Sequence, residues 1–386
     1  MTTLAHPAAP AAPGSRAPAR VRLPALRQFG PNWYATVMGT AIVASAGAGL
    51  PLEIPGLRAA SVLVWALSAV LLAVVLAGRA GHWLRHRDRA RADLLDPAVA
   101  PFYGCAAMAL LAVGGATLLV GRDVLGERAA VAVDAVLFGA GTLLGLVVAV
   151  AIPYLMVVRH RVGLADASPV WLLPVVPPMV SAAVGPLLVP HLAAGQGREA
   201  LLLGCYALFG MSLLATLMIL PLVFGRLVAH GPLPLGLTPL LFLVLGPLGQ
   251  SATAVGNLAE VAPGAIGAPY AGALGAFAVV YGVPVMGFAL LWLALSAALV
   301  VRAVRRGMRF TMTWWAFTFP LGTCVTGAAG LGRHTGLPAL EWLAVGLFAL
   351  LVAAWSAAGW YTLRGVFSGA LPAAPPAPRP VTARTR

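Results

Sequence analysis

The stretch AAVAVDAVLFGAGTLLGLVVAVAIPYLMVV, residues 129–158, decides the fold class of this chain. Its 30 residues include a single charged side chain, that of Asp134. An α-helix needs about 20 apolar residues to cross a hydrocarbon core of about 30 Å, so this stretch is long enough to do so. The stretch therefore predicts a transmembrane helix.

Apolar stretches of the same kind recur from Phe29 to Phe367, separated by charged or turn-rich segments. Of all residues, 60% are hydrophobic and 9% are charged, a composition that a water-soluble globule of this length cannot accommodate. We therefore predict an all-α membrane protein with ten transmembrane helices. The predicted spans lie near residues 31–50, 59–80, 101–121, 129–158, 170–189, 200–224, 238–258, 268–301, 312–332 and 338–366.

The basic residues predict the topology, because basic loops of membrane proteins stay in the cytoplasm. All 25 of them are arginine, and with a cytoplasmic N-terminus 20 of the 25 fall on the cytoplasmic side. The five exceptions are Arg58, Arg122, Arg128, Arg198 and Arg333. This distribution predicts a multi-pass protein of the inner (plasma) membrane with both termini in the cytoplasm. It also explains the net charge of +14 without a nucleic-acid partner, which we do not expect.

The two terminal segments differ in composition from the rest of the chain. Residues 1–28 combine Ala and Pro with four arginines and lack the apolar core of a cleavable signal, so we predict a disordered basic cytoplasmic arm. Residues 29–367 form the predicted ten-span transmembrane domain. Residues 368–386 contain Pro and Arg and are predicted to be a disordered cytoplasmic tail.

Glycine and proline are denser in the odd-numbered spans, with 24 in 103 residues, than in the even-numbered spans, with 18 in 140. Broken helices are tolerated at membrane depth where their free backbone groups face protein or a water-filled cavity. We therefore predict that the odd-numbered spans form an inner ring, with helix kinks at Pro178, Pro247 and Pro320. The alternative is that these residues only let neighbouring helices pack closely, as the GxxxG pair Gly141 and Gly145 could do in an even span.

Polar side chains also concentrate in the odd-numbered spans, where they could line a weakly polar conduit. Each hydroxyl could instead bond the backbone of its own helix. With no Arg or Lys at the centre of a span, an anion would be held by backbone N–H groups, helix dipoles and hydroxyls. The candidate lining residues are Thr36, Thr40, Ser181, Gln250, Ser251, Thr318 and Thr323.

Two other classes of residue give no site. Asp134 lies about one turn from the predicted outer end of its span, which favours an interfacial structural role over a proton relay. The cysteines and histidines form no spaced ligand pair, and no catalytic motif or nucleotide loop occurs, so we expect neither a metal, a cofactor nor an enzyme.

Four segments resemble the tellurite-resistance/dicarboxylate transporter family, which includes TehA, plant slow anion channels, fungal malate permeases and sulfite efflux pumps. They are FGPNWYATVMGT at residues 29–40, WLLPVVPP at 171–178, GPLGQ at 246–250 and WWAFTFP at 314–320. Their order and spacing match the family across residues 29–366. The resemblance implies five helical hairpins around a central pore, odd helices inside, usually in a homotrimer. It also implies that Phe319 closes the pore, whereas by itself Phe319 would be an ordinary packing aromatic.

The resemblance implies transport of small anions by a protein that is surrounded by membrane lipid. The motif set resembles the dicarboxylate and sulfite branches, so C4-dicarboxylates such as malate or succinate come first and sulfite efflux second. Channel-like conduction of chloride or nitrate is a third possibility. Outside this class, the chain could be a membrane sensor or scaffold whose arginine loops bind partners.

Overall fold

The computed structural model describes residues 29–52 and 54–368, so the predicted arm at 1–28 lies outside the described residues. Of the predicted tail at 368–386 only Ser368 is described, as the last residue of a helix. Every regular element in these ranges is helical. The α-helices are α1 (Tyr34–Ala48), α2 (Leu57–Arg85), α3 (Arg87–Leu95), α4 (Gly104–Ala116), α5 (Arg122–Leu125), α6 (Glu127–Val158), α7 (Pro177–Val184), α8 (Gln196–His230), α9 (Leu245–Val261), α10 (Tyr270–Arg305), α11 (Thr318–Thr335) and α12 (Pro338–Ser368).

Helices α2, α6, α8, α10 and α12 are long and apolar, and each coincides with a predicted even-numbered span. Only 22–28% of the residues in their most apolar stretches are buried. Large apolar side chains such as Leu63, Val150 and Met218 stand exposed on them. A surface of this kind is stable against lipid and not against water.

Helices α1, α4, α7, α9 and α11 coincide with the predicted odd-numbered spans and are the buried ones. The segments Ala100–Leu125 and Leu235–Gly264, which contain α4 and α9, are 89% and 83% buried in their most apolar stretches. These five helices contact one another in a closed cycle, α1 to α4, α7, α9, α11 and back to α1. Each also packs against the next long helix in the chain. For α4 this helix is α6, because the short α5 lies between them.

Each inner helix begins in the same way, with a short 3₁₀ segment before the α-helix. These segments are Pro31–Trp33, Ala100–Tyr103, Pro169–Leu172, Leu235–Val244 and Met312–Phe317. Pro178, Pro247 and Pro320 lie in the first turn of α7, α9 and α11. A proline there removes no helical hydrogen bond, because the first N–H groups of a helix have no intrahelical acceptor. These three prolines therefore mark where 3₁₀ geometry changes to α, and a kink at each stays a prediction.

Prolines in the middle of a helix occur instead in the outer layer. Pro153, Pro221 and Pro284 lie inside α6, α8 and α10, which are each continuous over more than 30 residues. The density of glycine and proline thus indicated the buried helices, although the irregular backbone is concentrated at their starts.

Within the described ranges, seven helical segments are long and apolar enough to cross a membrane. They comprise the five outer helices and the segments that contain α4 and α9. The other three predicted spans correspond to α1, α7 and α11, which have 15, 8 and 18 residues. These helices are short because 3₁₀ turns precede or follow them, so the number of ten spans stays a prediction.

Glycines allow the inner helices to approach closely. A Cβ on Gly249 of α9 would lie 2.5 Å from the backbone nitrogen of Cys324 and from the carbonyl carbon of Thr323, both on α11. The GxxxG pair of α6 also allows helices of this chain to pack closely. A Cβ on Gly141 would meet Leu111 of α4, and one on Gly145 would meet Pro177 of α7. Both glycines of α6 therefore face the inner ring.

A buried polar cluster joins α2, α3 and α4 at the end where the inner helices begin. Arg79 is 4% exposed, and its guanidinium donates hydrogen bonds to the carbonyl oxygen of Phe29 at 2.6 Å and to the Tyr103 hydroxyl at 3.0 Å. The Asp93 carboxylate lies 3.5 Å from Nε2 of His82 and 3.2 Å from Nε of Arg89. Burial raises the pKa of Asp93. Arg79, counted among the basic loop residues, is thus a structural anchor.

We predict that Gly249→Ala destabilises the protein by about 1–3 kcal/mol, because the added methyl group would overlap the α11 backbone, which cannot rotate away. Thermal unfolding in detergent measures the change. The matched control is Gly359→Ala in α12, where a Cβ meets open space. There alanine should be neutral or stabilising, by up to about 1 kcal/mol. Equal melting temperatures for the two variants would contradict the close contact.

Candidate functional site

The inner ring encloses a cavity of about 910 Å³. All five inner helices contribute to its lining, chiefly through their carboxyl-terminal parts, for example Ser45 of α1, Gly115 of α4, Val184 of α7, Asn257 of α9 and Ala329 of α11. The five helices therefore run in the same direction and open into one vestibule. We call this the vestibule end, and the opposite end, where the inner helices begin, the arginine-rich end.

Phe319 lies at the inner limit of this vestibule and is 2% exposed. Its side chain also lines a second void of about 10 Å³, near the volume that one water molecule needs. The lining of that void is apolar and includes Met38, Met108 and Pro320, from the amino-terminal halves of the inner helices. The wide vestibule thus narrows to almost nothing at Phe319, on the side facing the arginine-rich end.

Positive side chains surround the vestibule. Arg122, Arg198 and Arg333 line it, together with the imidazole of His191 and one acid, Glu260. A helix carries partial negative charge at its carboxyl end, and five such ends converge here. Arg333 lies in the last turn of α11, where a cation offsets this charge. Without the arginines the vestibule would repel anions, and with them it attracts anions.

Two of the arginines on this side are held by protein groups. Arg198 donates to the carbonyl oxygens of Leu192, Pro190 and Gly264, at 2.8–3.4 Å, which ties two loops together. Arg58 pairs with Asp123 at 2.6 Å, and both side chains are more than a third exposed. Such an exposed pair contributes little stability, about 0–1 kcal/mol.

The polar part of the vestibule lining comes from α9 and α11. Gln250 is 3% exposed, and its Oε1 has no hydrogen-bond partner among the described residues. The hydroxyls of Thr253 and Thr326 lie 2.7 Å apart. Asn257 donates from Nδ2 to the carbonyl oxygen of Ala183 at 2.7 Å. These groups form a polar strip that runs from the rim towards Phe319.

The predicted lining residues of the first and fifth spans form hydrogen bonds within their own helix or to an outer helix. The Thr36 hydroxyl donates to the carbonyl oxygen of Trp33 at 2.8 Å. Thr40 donates to the carbonyl oxygen of Thr36 and accepts from Trp355 of α12 at 3.1 Å. Ser181 accepts from Thr142 of α6 at 2.9 Å. None of the three is in the lining of the two cavities, so their role in a substrate path stays a prediction.

The other predicted hydroxyls bond backbone carbonyls three residues earlier in the chain, and Thr323 also approaches α9. Ser251 donates to the carbonyl oxygen of Leu248 at 2.8 Å, and Thr318 donates to that of Trp315 at 2.7 Å. Thr323 donates to the carbonyl oxygen of Pro320 at 2.7 Å and lies 3.3 Å from those of Leu245 and Gly246. Of the seven predicted polar lining residues, the vestibule lining includes Gln250.

The lining arginines were counted in the sequence only as exceptions to the basic-loop pattern. Arg122, Arg198 and Arg333 are three of those five exceptions. A basic residue that stays on the less favoured side of the membrane is a signal that could have marked the vestibule. Thr253 and Thr326 gave no such signal, because a threonine in an apolar helix commonly bonds its own backbone.

Asp134 is more deeply buried than the sequence indicated. It is 1% exposed, and neither carboxyl oxygen has a hydrogen-bond partner among the described residues. A Cβ on Gly114 of α4 would lie 2.6 Å from its Oδ1, so the carboxyl packs between α6 and α4, behind the vestibule wall. The expected interfacial position near water is therefore wrong.

Comparison with known proteins agrees with this architecture. The family model for the voltage-dependent anion channel, SLAC1, matches residues 28–363. An uncharacterized transporter of Methanocaldococcus jannaschii is 26% identical over 350 residues, which cover 90% of this chain and 96% of that protein. The sulfite efflux pumps of Trichophyton rubrum and Arthroderma otae are 28% and 27% identical, over 81% and 86% of this chain and 84% and 88% of the pumps.

We predict that a cysteine placed at Thr253 reacts with a water-soluble thiol reagent, whereas a cysteine at Ser251 does not. Thr253 lines the vestibule, and Ser251 is 1% exposed and lies outside the lining. The three native cysteines are at most 2% exposed, so their background labelling should be low. Mass spectrometry of the labelled variants in vesicles checks the difference. Equal labelling of the two positions would contradict the assignment of the lining.

Proposed function

The chain belongs to the voltage-dependent anion channel family, as its four motifs predicted, and from this premise we propose that it moves small anions through the ring of inner helices. The path runs from the vestibule, past Phe319, to the arginine-rich end. The protein transports and does not catalyse a reaction. Its relatives are likewise named as transporters and pumps.

The main support for the proposal is the position of Phe319, which lines both the vestibule and the small apolar void. An aromatic ring that lies between two spaces blocks passage from one to the other, and its rotation would join them. Pro320, the next residue, lies where the 3₁₀ segment Met312–Phe317 changes to the α-helix α11, and a shift of the backbone at this junction would move the ring. Phe319 is therefore the proposed gate.

The proposed orientation places the arginine-rich end and both termini in the cytoplasm, in agreement with the excess of basic loops at that end. The ten spans then form five hairpins, each an inner helix and the following long helix, in the inner (plasma) membrane. The contacts α1–α2, α4–α6, α7–α8, α9–α10 and α11–α12 support this arrangement. The homotrimer and the surrounding lipid remain part of the proposal, and the exposed apolar side chains of the outer helices supply the surface for both.

Sulfite is the first proposed substrate, because the similar proteins that are named for a substrate are sulfite efflux pumps. C4-dicarboxylates such as malate or succinate are the second. A vestibule of about 910 Å³ has room for a four-carbon diacid, and its arginines suit two carboxylates. Chloride or nitrate would pass by the same electrostatic attraction. The polar lining near Phe319 has no arginine, which allows an ion to enter without being trapped.

We predict that Phe319→Ala raises anion uptake into proteoliposomes by about tenfold or more, because it removes the ring that fills the narrow point. Uptake of labelled sulfite, malate and chloride by wild-type and variant protein measures the change. The matched control is Phe209→Ala, a residue 3% exposed that packs on Tyr206 and Phe277, away from both cavities. It should lower stability without raising uptake. Unchanged uptake by folded Phe319→Ala protein would rule out the gate.

We also predict that Arg333→Gln lowers the initial rate of uptake about two- to fivefold at low salt, with little change at high salt. Arg333 lines the vestibule, so its charge raises the local anion concentration there. The control is Arg128→Gln, an exposed arginine near the same end that does not line the cavity. Initial rates in outside-out vesicles at two ionic strengths test this. An equal effect of both substitutions would show that only total charge matters.

A further inference from the structure

Gln250 has a feature that gating and electrostatic attraction do not explain. Its residue surface is 97% removed from solvent, yet Oε1 has no hydrogen-bond partner among the described residues. A buried amide oxygen without a partner is costly, and in native proteins such a group usually meets a ligand or water. Gln250 also lines the vestibule, so its amide is placed to meet a molecule that enters it.

The position of Gln250 along the path is close to that of the gate. Gly249, its neighbour in α9, approaches the backbone of Thr323 in α11. Phe319 lies one helical turn before Thr323, so both residues face the vestibule, with Gln250 about one turn nearer its rim than Phe319. An ion that passes Phe319 must therefore pass the Gln250 amide.

The hydrogen-bonding groups of the Gln250 amide determine which ions can pair with both its donor and its acceptor. A glutamine side chain has two N–H donors and one acceptor oxygen. Chloride and nitrate only accept hydrogen bonds, so they leave the acceptor oxygen of the Gln250 amide, Oε1, unpaired. A singly protonated oxyanion has an O–H group next to an acceptor oxygen, and it can pair with both ends of the amide at once.

We propose that Gln250 is the substrate-contacting residue that selects singly protonated oxyanions, such as hydrogensulfite or a hydrogen dicarboxylate, over halide and nitrate. The inference rests on the proposed transport function and names the substrate class of the same path. In the closed arrangement the acceptor is unpaired. An ion with an O–H group removes this cost as it passes, which lowers the barrier at the gate without binding the ion tightly.

The test compares wild-type protein with Gln250→Leu, which keeps the size of the side chain and removes its hydrogen-bonding groups. The matched control is Gln196→Leu, the same chemical change at an exposed residue at the start of α8. Uptake of labelled sulfite, malate and nitrate into proteoliposomes is measured, with empty liposomes subtracted. We expect Gln250→Leu to lower sulfite uptake about tenfold and nitrate uptake less than twofold.

The uptake of sulfite and the uptake of malate, measured separately, distinguish the two candidate oxyanions. Loss of sulfite uptake alone identifies a sulfur oxyanion as the substrate, and loss of malate uptake alone identifies a dicarboxylate. In wild-type protein, sulfite uptake should fall as the pH rises through the second ionisation of sulfite, while nitrate uptake stays level. The ratio of sulfite to nitrate uptake should lose this pH dependence in Gln250→Leu.

Folding and binding are checked apart from transport. Removing an unpaired buried amide should leave the melting temperature equal or higher, and added sulfite should raise it in wild-type protein but not in Gln250→Leu. Equal losses of sulfite and nitrate uptake in the variant, or no loss of either oxyanion, would overturn the selectivity alone. Wild-type protein that carries none of the three ions above empty liposomes would overturn the transport function as well.

Discussion

The exclusion of water from lipid is the constraint on which the rest of this structure depends. Backbone N–H and C=O groups in a bilayer must bond within the protein, so the helices that meet lipid have to be regular. The five outer helices meet this requirement, with 29–36 residues each. Behind them the inner helices can begin in 3₁₀ turns, end early and carry glycines, because their free groups meet protein or the vestibule.

The parallel direction of the inner helices creates the vestibule and also places partial negative charge around it. Five carboxyl ends converge on one cavity, and each adds partial negative charge. Arg122, Arg198 and Arg333 offset that charge, so the arginines that least fit the distribution of basic loops are those that make the cavity suitable for anions. The narrow point at Phe319 lies deeper, where the lining has no charged side chain. In the proposed path an ion meets an aromatic ring and the amide of Gln250 there.

Several features of the site followed from the sequence and several did not. Phe319 was named from the resemblance of WWAFTFP to a family motif, and Gln250 from its place in a glycine-rich span. Both line the vestibule. Thr40 and Ser181 were chosen by the same rule, but they bond to the outer helices α12 and α6. A polar residue in a buried helix faces either the pore or the surrounding layer, and residue type alone does not distinguish these directions.

The sequence by itself determined the membrane environment, the positions of the helices, their division into irregular buried and regular exposed ones, and the family. These depend on local quantities, namely apolar length, the density of glycine and proline, and short motifs. Only the tertiary structure decided which side of each helix faces the cavity, that Asp134 is enclosed behind α4, and that distant arginines surround one vestibule. The physical reason is that a helix rotation of half a turn exchanges lining and packing residues without changing its composition, and close contacts between helices such as that at Gly249 set this rotation.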